Sequence, residues 1–156
     1  MHTPSRWSLV AASLTLALAG AAFAADTGPE TPAAADPLGA AREHVEAKRW
    51  PAALTELRRV NATSSADWNN LMGYALRKQA KPDLDGSQRY YDAALRINPR
   101  HMGALEYSGE LALMKGDLPT AESRLAALAK LCSSPCEPLD DLKTAVARFK
   151  ANGGKF

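Results

Sequence analysis

Aromatic residues are scarce in this chain: three Phe, four Tyr and three Trp among 156 residues. A core with so few large rings is built mainly of Ala and Leu, as closely stacked helices permit. Cysteine is nearly absent. Its two copies leave a four-coordinate metal site short of ligands unless other residues join them. An excess of one charge is also missing: the net charge is +2, and removing the one Arg of the first 24 residues leaves +1. That balance gives no reason to expect a nucleic acid or an anionic membrane as ligand. Catalytic constellations are missing too. There is no Ser/His/Asp order, no phosphate-cradling glycine loop and no pair of buried carboxylates, and Glu43-His44-Val45-Glu46 does not have the zinc-protease spacing. The sequence thus points away from an enzyme and calls for no cofactor. What remains is ordinary for a globular protein of one domain, with 46% hydrophobic and 23% charged residues.

The first 24 residues read as an export signal. Arg6 and the amino terminus supply positive charge, Leu9 to Ala19 form a short apolar core, and Ala22-Phe23-Ala24 places small residues either side of a bulky one. The apolar run is too short to span a bilayer comfortably, so cleavage after Ala24 is expected, with no membrane insertion afterwards. No cysteine follows that would take a lipid anchor. The Ala-rich leader suits a bacterial chain bound for the periplasm. Residues 25–36 then lack periodicity and hold Pro, Gly and small residues, the composition of a disordered lead-in.

Helical periodicity starts at Pro37. Leu38, Ala41 and Val45 share one face, with the stem of Lys48 beside them, and Trp50-Pro51 opens a partner helix with Ala53, Leu54, Leu57 and Val60 inward. Ser65 suits a helix N-cap ahead of Trp68, Leu71, Met72, Gly73 and Leu76. The turn Lys81-Pro82-Asp83 leads into a helix carrying Leu84, Ser87, Tyr91, Ala94 and Leu95, which stops at Asn98-Pro99. The pattern recurs. Moving Leu84, Ser87, Tyr91 and Ala94 back by 34 residues lands on Trp50, Ala53, Leu57 and Val60, and moving them forward by 34 lands on Leu118, Ala121, Leu125 and Leu128. Each of these twelve positions holds an apolar or small residue.

A helix-turn-helix period of 34 residues resembles the tetratricopeptide-repeat family over roughly residues 37–134. The resemblance implies an all-α fold, a right-handed helical solenoid of about three hairpins: 37–64 (atypical, with Ala41 at the crossing), 65–100 and 101–134. Gly73 is the better crossing residue of the central copy, because it puts Met72 and Leu76, not Lys78, on the packed face. A last amphipathic helix over 138–152 carries Leu139, Leu142, Val146 and Phe149 in a stripe, with Asp140, Asp141, Lys143, Arg148 and Lys150 outside it. It suits the role of covering the exposed end of the stack. Trp50, Trp68, Tyr90, Tyr91 and Tyr107 fall mostly at packing positions, His44 on a solvated helix face, and His101 beside a helix cap.

In such repeats the first helix of each pair lines a concave groove. The resemblance therefore implies a binding face at Asn70, Tyr74 and Arg77, continued by Glu106, Glu110 and Leu113, with Arg42 at its edge. Its partner would be a protein or peptide segment. The glutamates stand where a carboxylate-gripping clamp would need Lys, Asn or Arg, so that specificity is not carried over. A merely solvated face is the competing reading. Cys132 and Cys136 remain. In an exported chain a disulfide is the first expectation, with Pro135 breaking the helix so that the sulfurs can meet. A thiol-redox couple, a copper site and inert thiols are the alternatives. The favoured function is a non-catalytic periplasmic adaptor that binds a protein segment in its groove, and the alternative is a thiol-redox or copper-handling accessory protein using the C-x3-C pair.

Overall fold

The computed structural model describes residues 36–133 and 135–156, so the expected signal and most of the lead-in lie outside the described residues. Among the described residues seven α-helices follow one another: α1 (Gly39–Glu46), α2 (Trp50–Val60), α3 (Ala66–Arg77), α4 (Leu84–Ile97), α5 (Met102–Met114), α6 (Leu118–Leu131) and α7 (Glu137–Ala151). The described residues contain no strand. No helix among them is long and apolar enough to cross a membrane.

Local chemistry sets the helix ends. Ser65 Oγ accepts from the Trp68 amide at 3.2 Å, Asp83 Oδ1 from Gly86 at 2.8 Å and Asp117 Oδ1 from Thr120 at 3.0 Å, each satisfying an orphan donor of a first turn. His101 is itself the cap of α5: its Nδ1 accepts from the Ala104 amide at 3.1 Å. That leaves the proton on Nε2, which faces Asp67 Oδ1 at 2.9 Å. Proline occupies the first turn of α2, α6 and α7, where its missing N–H costs nothing. Gly116, with φ at +78°, turns the chain out of α5. Lys48 differs from its sequence reading. It stands in the α1–α2 turn with φ at +56°, exposed, because α1 ends at Glu46 and the two-helix corner is tight.

The helices pack as hairpins, α1 with α2, α3 with α4 and α5 with α6, and α7 lies against both α5 and α6. Successive odd-numbered helices also touch, α1 to α3, α3 to α5 and α5 to α7, whereas no two even-numbered helices do. The odd helices therefore form the inner, closer-packed layer, and the stack curves toward them. This is the arrangement of a helical solenoid.

Two apolar clusters hold the ends. Ala41, Leu54, Leu57, Trp68, Met72 and Leu76 unite α1–α3, and Leu105, Leu113, Leu128, Leu142, Val146 and Phe149 unite α5–α7. Trp68 also donates its indole N–H to the Leu57 carbonyl at 2.7 Å, tying α3 to the end of α2. Between the clusters the helices meet through small residues. A Cβ on Gly73 would lie 2.8 Å and 2.9 Å from ring carbons of the fully buried Tyr91, and 3.1 Å from the Ser87 carbonyl. A Cβ on Gly109 would lie 2.6 Å and 2.8 Å from the two methyls of Leu142. Gly73 and Gly109 are thus the crossing points of α3 on α4 and of α5 on α7.

Gly73→Ala is expected to destabilise the chain by about 1–2 kcal/mol, because overpacking outweighs the gain in helix propensity. Gly39→Ala, whose new methyl would meet nothing nearer than 3.9 Å, should be neutral or slightly stabilising. Urea unfolding of the two variants checks the contrast.

Candidate functional site

The inner wall is where the expected groove residues come together, though not all on its surface. Tyr74 is half-buried, and its ring centroid lies 4.5 Å from that of Tyr107. Arg77 is 4% exposed, with Nη2 at 2.6 Å from Glu110 Oε2 and its guanidinium carbon 5.6 Å from both tyrosine centroids. The pair joins the last turn of α3 to α5. Asn70 is buried beside Gly103, with no partner for its Oδ1. Leu113, 1% exposed, belongs to the α5–α7 core and supports the wall from behind. Arg42, at the edge, reaches Asp67 at 3.5 Å and Asp36 at 3.2 Å.

Glu106 is the unusual member. It is only 7% exposed, and none of the described residues gives it a hydrogen bond or an ion pair. It opens onto a cavity of about 400 Å³ between α3, α5 and α7. Tyr74 and Lys78 form one side of the cavity, Gly103, Tyr107 and Glu110 the floor, and Glu137, Pro138 and Asp141 the far side. Burial pushes the Glu106 carboxyl up to about 8, and the Glu110, Asp141 and Glu137 carboxylates reinforce the shift against the pull of Arg77. Burial raises the phenols of Tyr74, Tyr91 and Tyr107 as well. On the other side of the Arg77–Glu110 pair lies a second cavity, about 320 Å³, with Arg148 and Lys155 in its lining. The inner wall is therefore acidic toward the start of α7 and basic toward its end, as the helix macrodipole favours.

Of the nine residues lining this cavity the expected groove set holds Tyr74, Glu106 and Glu110, and six lie outside it, Tyr107, Glu137 and Asp141 among them. Tyr107 has the phase of a packing residue, Asp141 lies in a helix expected over 138–152 only as a cover, and Glu137 stands one residue before that expected start. The available clue was positional: α7 follows a complete pair, so it takes the place of a further inner helix and turns its first acidic residues to the groove.

Cys132 and Cys136 are joined in a disulfide with Cα atoms 5.8 Å apart, within the usual range. Cys132 ends α6 and Cys136 precedes α7, so the bond closes the elbow between them. Both residues are partly exposed, and Met102 Sδ lies 3.9 Å from Cys132 Sγ. Among the described residues no three His, Cys, Asp or Glu side chains converge as a metal site would need. Neither a known protein family nor a characterised protein matches this sequence.

The Glu106 shift makes stability depend on pH. The carboxyl is raised above its ordinary value of 4.5, so the folded chain holds this proton more tightly than the unfolded one. Its contribution is most favourable below pH 4.5 and is lost as the pH rises to about 8. Glu106→Gln removes the ionisation. The Tm of the variant should exceed that of the parent by at least about 4 °C at pH 8.5, with the gap closing toward pH 5, in paired thermal melts.

Proposed function

We propose that this chain is an exported accessory protein of tetratricopeptide-repeat type that works through thiol–disulfide exchange at Cys132 and Cys136, its inner wall holding the partner. The observation that carries this reading is the closed, partly exposed disulfide at the α6–α7 elbow. Its neighbours support it. Glu137 and Pro138, which directly follow Cys136, line the acidic cavity, and Gly103 of that cavity directly follows Met102. A segment lying along the inner wall would therefore end next to the sulfurs. The repeat assignment rests on the paired helices, the 34-residue recurrence and the glycine crossings at Gly73 and Gly109.

The exchange balances with a dithiol partner. A partner thiolate attacks one sulfur of the pair, the other leaves as thiolate, and a mixed disulfide forms. The second partner thiol resolves it. The partner departs oxidised, and two electrons and two protons pass to Cys132 and Cys136.

A second reading, a plain adaptor in which the bond only fixes the angle of α7, is favoured by the polar lining of the inner wall. Equilibration in glutathione buffers, with alkylation and mass analysis, separates the two. Exchange predicts a reduction potential in the range of the oxidoreductases, roughly −120 to −270 mV. A value below about −300 mV would make the bond a structural clamp and leave the adaptor.

A further inference from the structure

We infer that the cavity between α3, α5 and α7 receives a cationic side chain, an arginine guanidinium or a lysine ammonium, from the segment that lies on the inner wall. The inference rests on the wall being a docking face, and it names the chemistry of what docks.

Charge comes first. Four acidic residues line the cavity, Glu106 with its carboxyl pushed up to about 8 and Glu110, Glu137 and Asp141, against the single ammonium of Lys78. Glu110 is engaged by Arg77 at 2.6 Å. Glu137 and Asp141 lie in the first turns of α7, where the helix N-terminus offsets part of their charge. Glu106 has no such relief. It sits in the second turn of α5, 7% exposed, with no donor among the described residues. Desolvating an ionised carboxylate without a partner is costly, and an N–H donor entering from the open side removes that cost.

The cations adjoining the cavity, Arg77 and Lys78, are already engaged. Arg77 is held by Glu110 beneath the tyrosine rings, and Lys78 Nζ lies over the Tyr74 ring at 5.4 Å. The walls then discriminate among ligands. A carboxylate wall repels anions. The acidic groups are too dispersed for three to close on one metal ion, whereas the donors of a guanidinium spread over a plane and reach separated acceptors. An opening of about 400 Å³ admits a side chain and excludes a folded element.

The test is a titration of the oxidised, ¹⁵N-labelled chain with N-acetyl-arginine amide, N-acetyl-lysine amide, N-acetyl-norleucine amide and N-acetyl-glutamate amide at low salt. The arginine probe should give saturable shifts at Gly103, Glu106, Tyr107 and Asp141, and the lysine probe should bind more weakly. The two uncharged or anionic probes should give no saturable shift there. Glu106→Gln should weaken the arginine probe at least fivefold while the fold, followed by circular dichroism, is kept. Binding should tighten between pH 6.5 and 8.5 as Glu106 ionises, with Glu110, Glu137, Asp141, Arg77, Lys78 and the two tyrosines as its charged and titratable neighbours. Norleucine binding as well as arginine, shifts confined to other surfaces, or equal binding by Glu106→Gln would each overturn the inference. The reduction potential is measured on the chain alone, without these probes. A failed titration with a potential in the exchanging range removes the cation seat alone, and a clamp-like potential with saturable arginine binding removes the exchange alone.

Discussion

The approach of α4 to α3 at Gly73 is the constraint on which the remaining geometry depends. With a ring carbon of Tyr91 at 2.8 Å from where a methyl would stand, no other residue type lets these helices lie so close. That spacing sets the height of α3 in the inner layer and hence where Tyr74 and Arg77 emerge. Gly109 repeats the device one pair later, where the methyls of Leu142 fill the space its missing side chain leaves. The docking of α7 follows from that contact, and with it the far side of the acidic cavity. Two hydrogen atoms in place of methyl groups thus position the principal features of the wall.

Between the two apolar clusters, buried polar groups share the middle of the stack with Tyr91, Ala94, Ala104 and Leu111. Ser87 and Ser108 are buried and bond backward to their own helices, at 2.7 Å to Asp83 and 3.2 Å to Leu105. Tyr91 keeps a buried hydroxyl without a partner of hydrogen-bonding geometry. Arg77 and Glu110 add a charge pair there. Such a pair contributes little net stability against apolar replacements, since desolvation offsets attraction. Its effect is positional, because sliding α3 along α5 would leave an unpaired guanidinium at a site only 4% exposed.

The sequence disclosed the helices and their pairing well, because both are written in local periodicity and in caps such as Ser65, Asp83 and Asp117. The preference for Gly73 over Ala75 at the crossing was also legible, although Ala75 proves equally buried. The groove was less so. Phase on a helix says which residues share a face, but α3 is enclosed by neighbours on nearly every side, so Asn70 and Arg77 are buried on the very face expected to be open. Leu113 shares the groove phase yet points to the core, since α7 covers that end of α5. His101 was read beside a cap and is the cap, a role His takes less often than Ser or Asp. Tyr107 and Asp141 were missed for a common reason: their role depends on where α7 sits, which no local pattern in the sequence reveals.

The disulfide gains its meaning from that same helix. Its loop begins at the end of α6, and its second cysteine immediately precedes the two residues that start the acidic side of the cavity. On the facing side, the thioether that touches Cys132 belongs to the first residue of α5, one position before the cavity's Gly103. Opening the bond would therefore release the N-terminal turn of α7 from its covalent anchor, leaving the packing of Leu139 and Leu142 to hold it. The carboxylates of Glu137 and Asp141 would keep their sequence neighbours but lose part of what fixes their distance from Glu106. A change of oxidation state at the elbow would thus act on the position of Glu137 and Asp141, two of the four acidic residues that line the cavity.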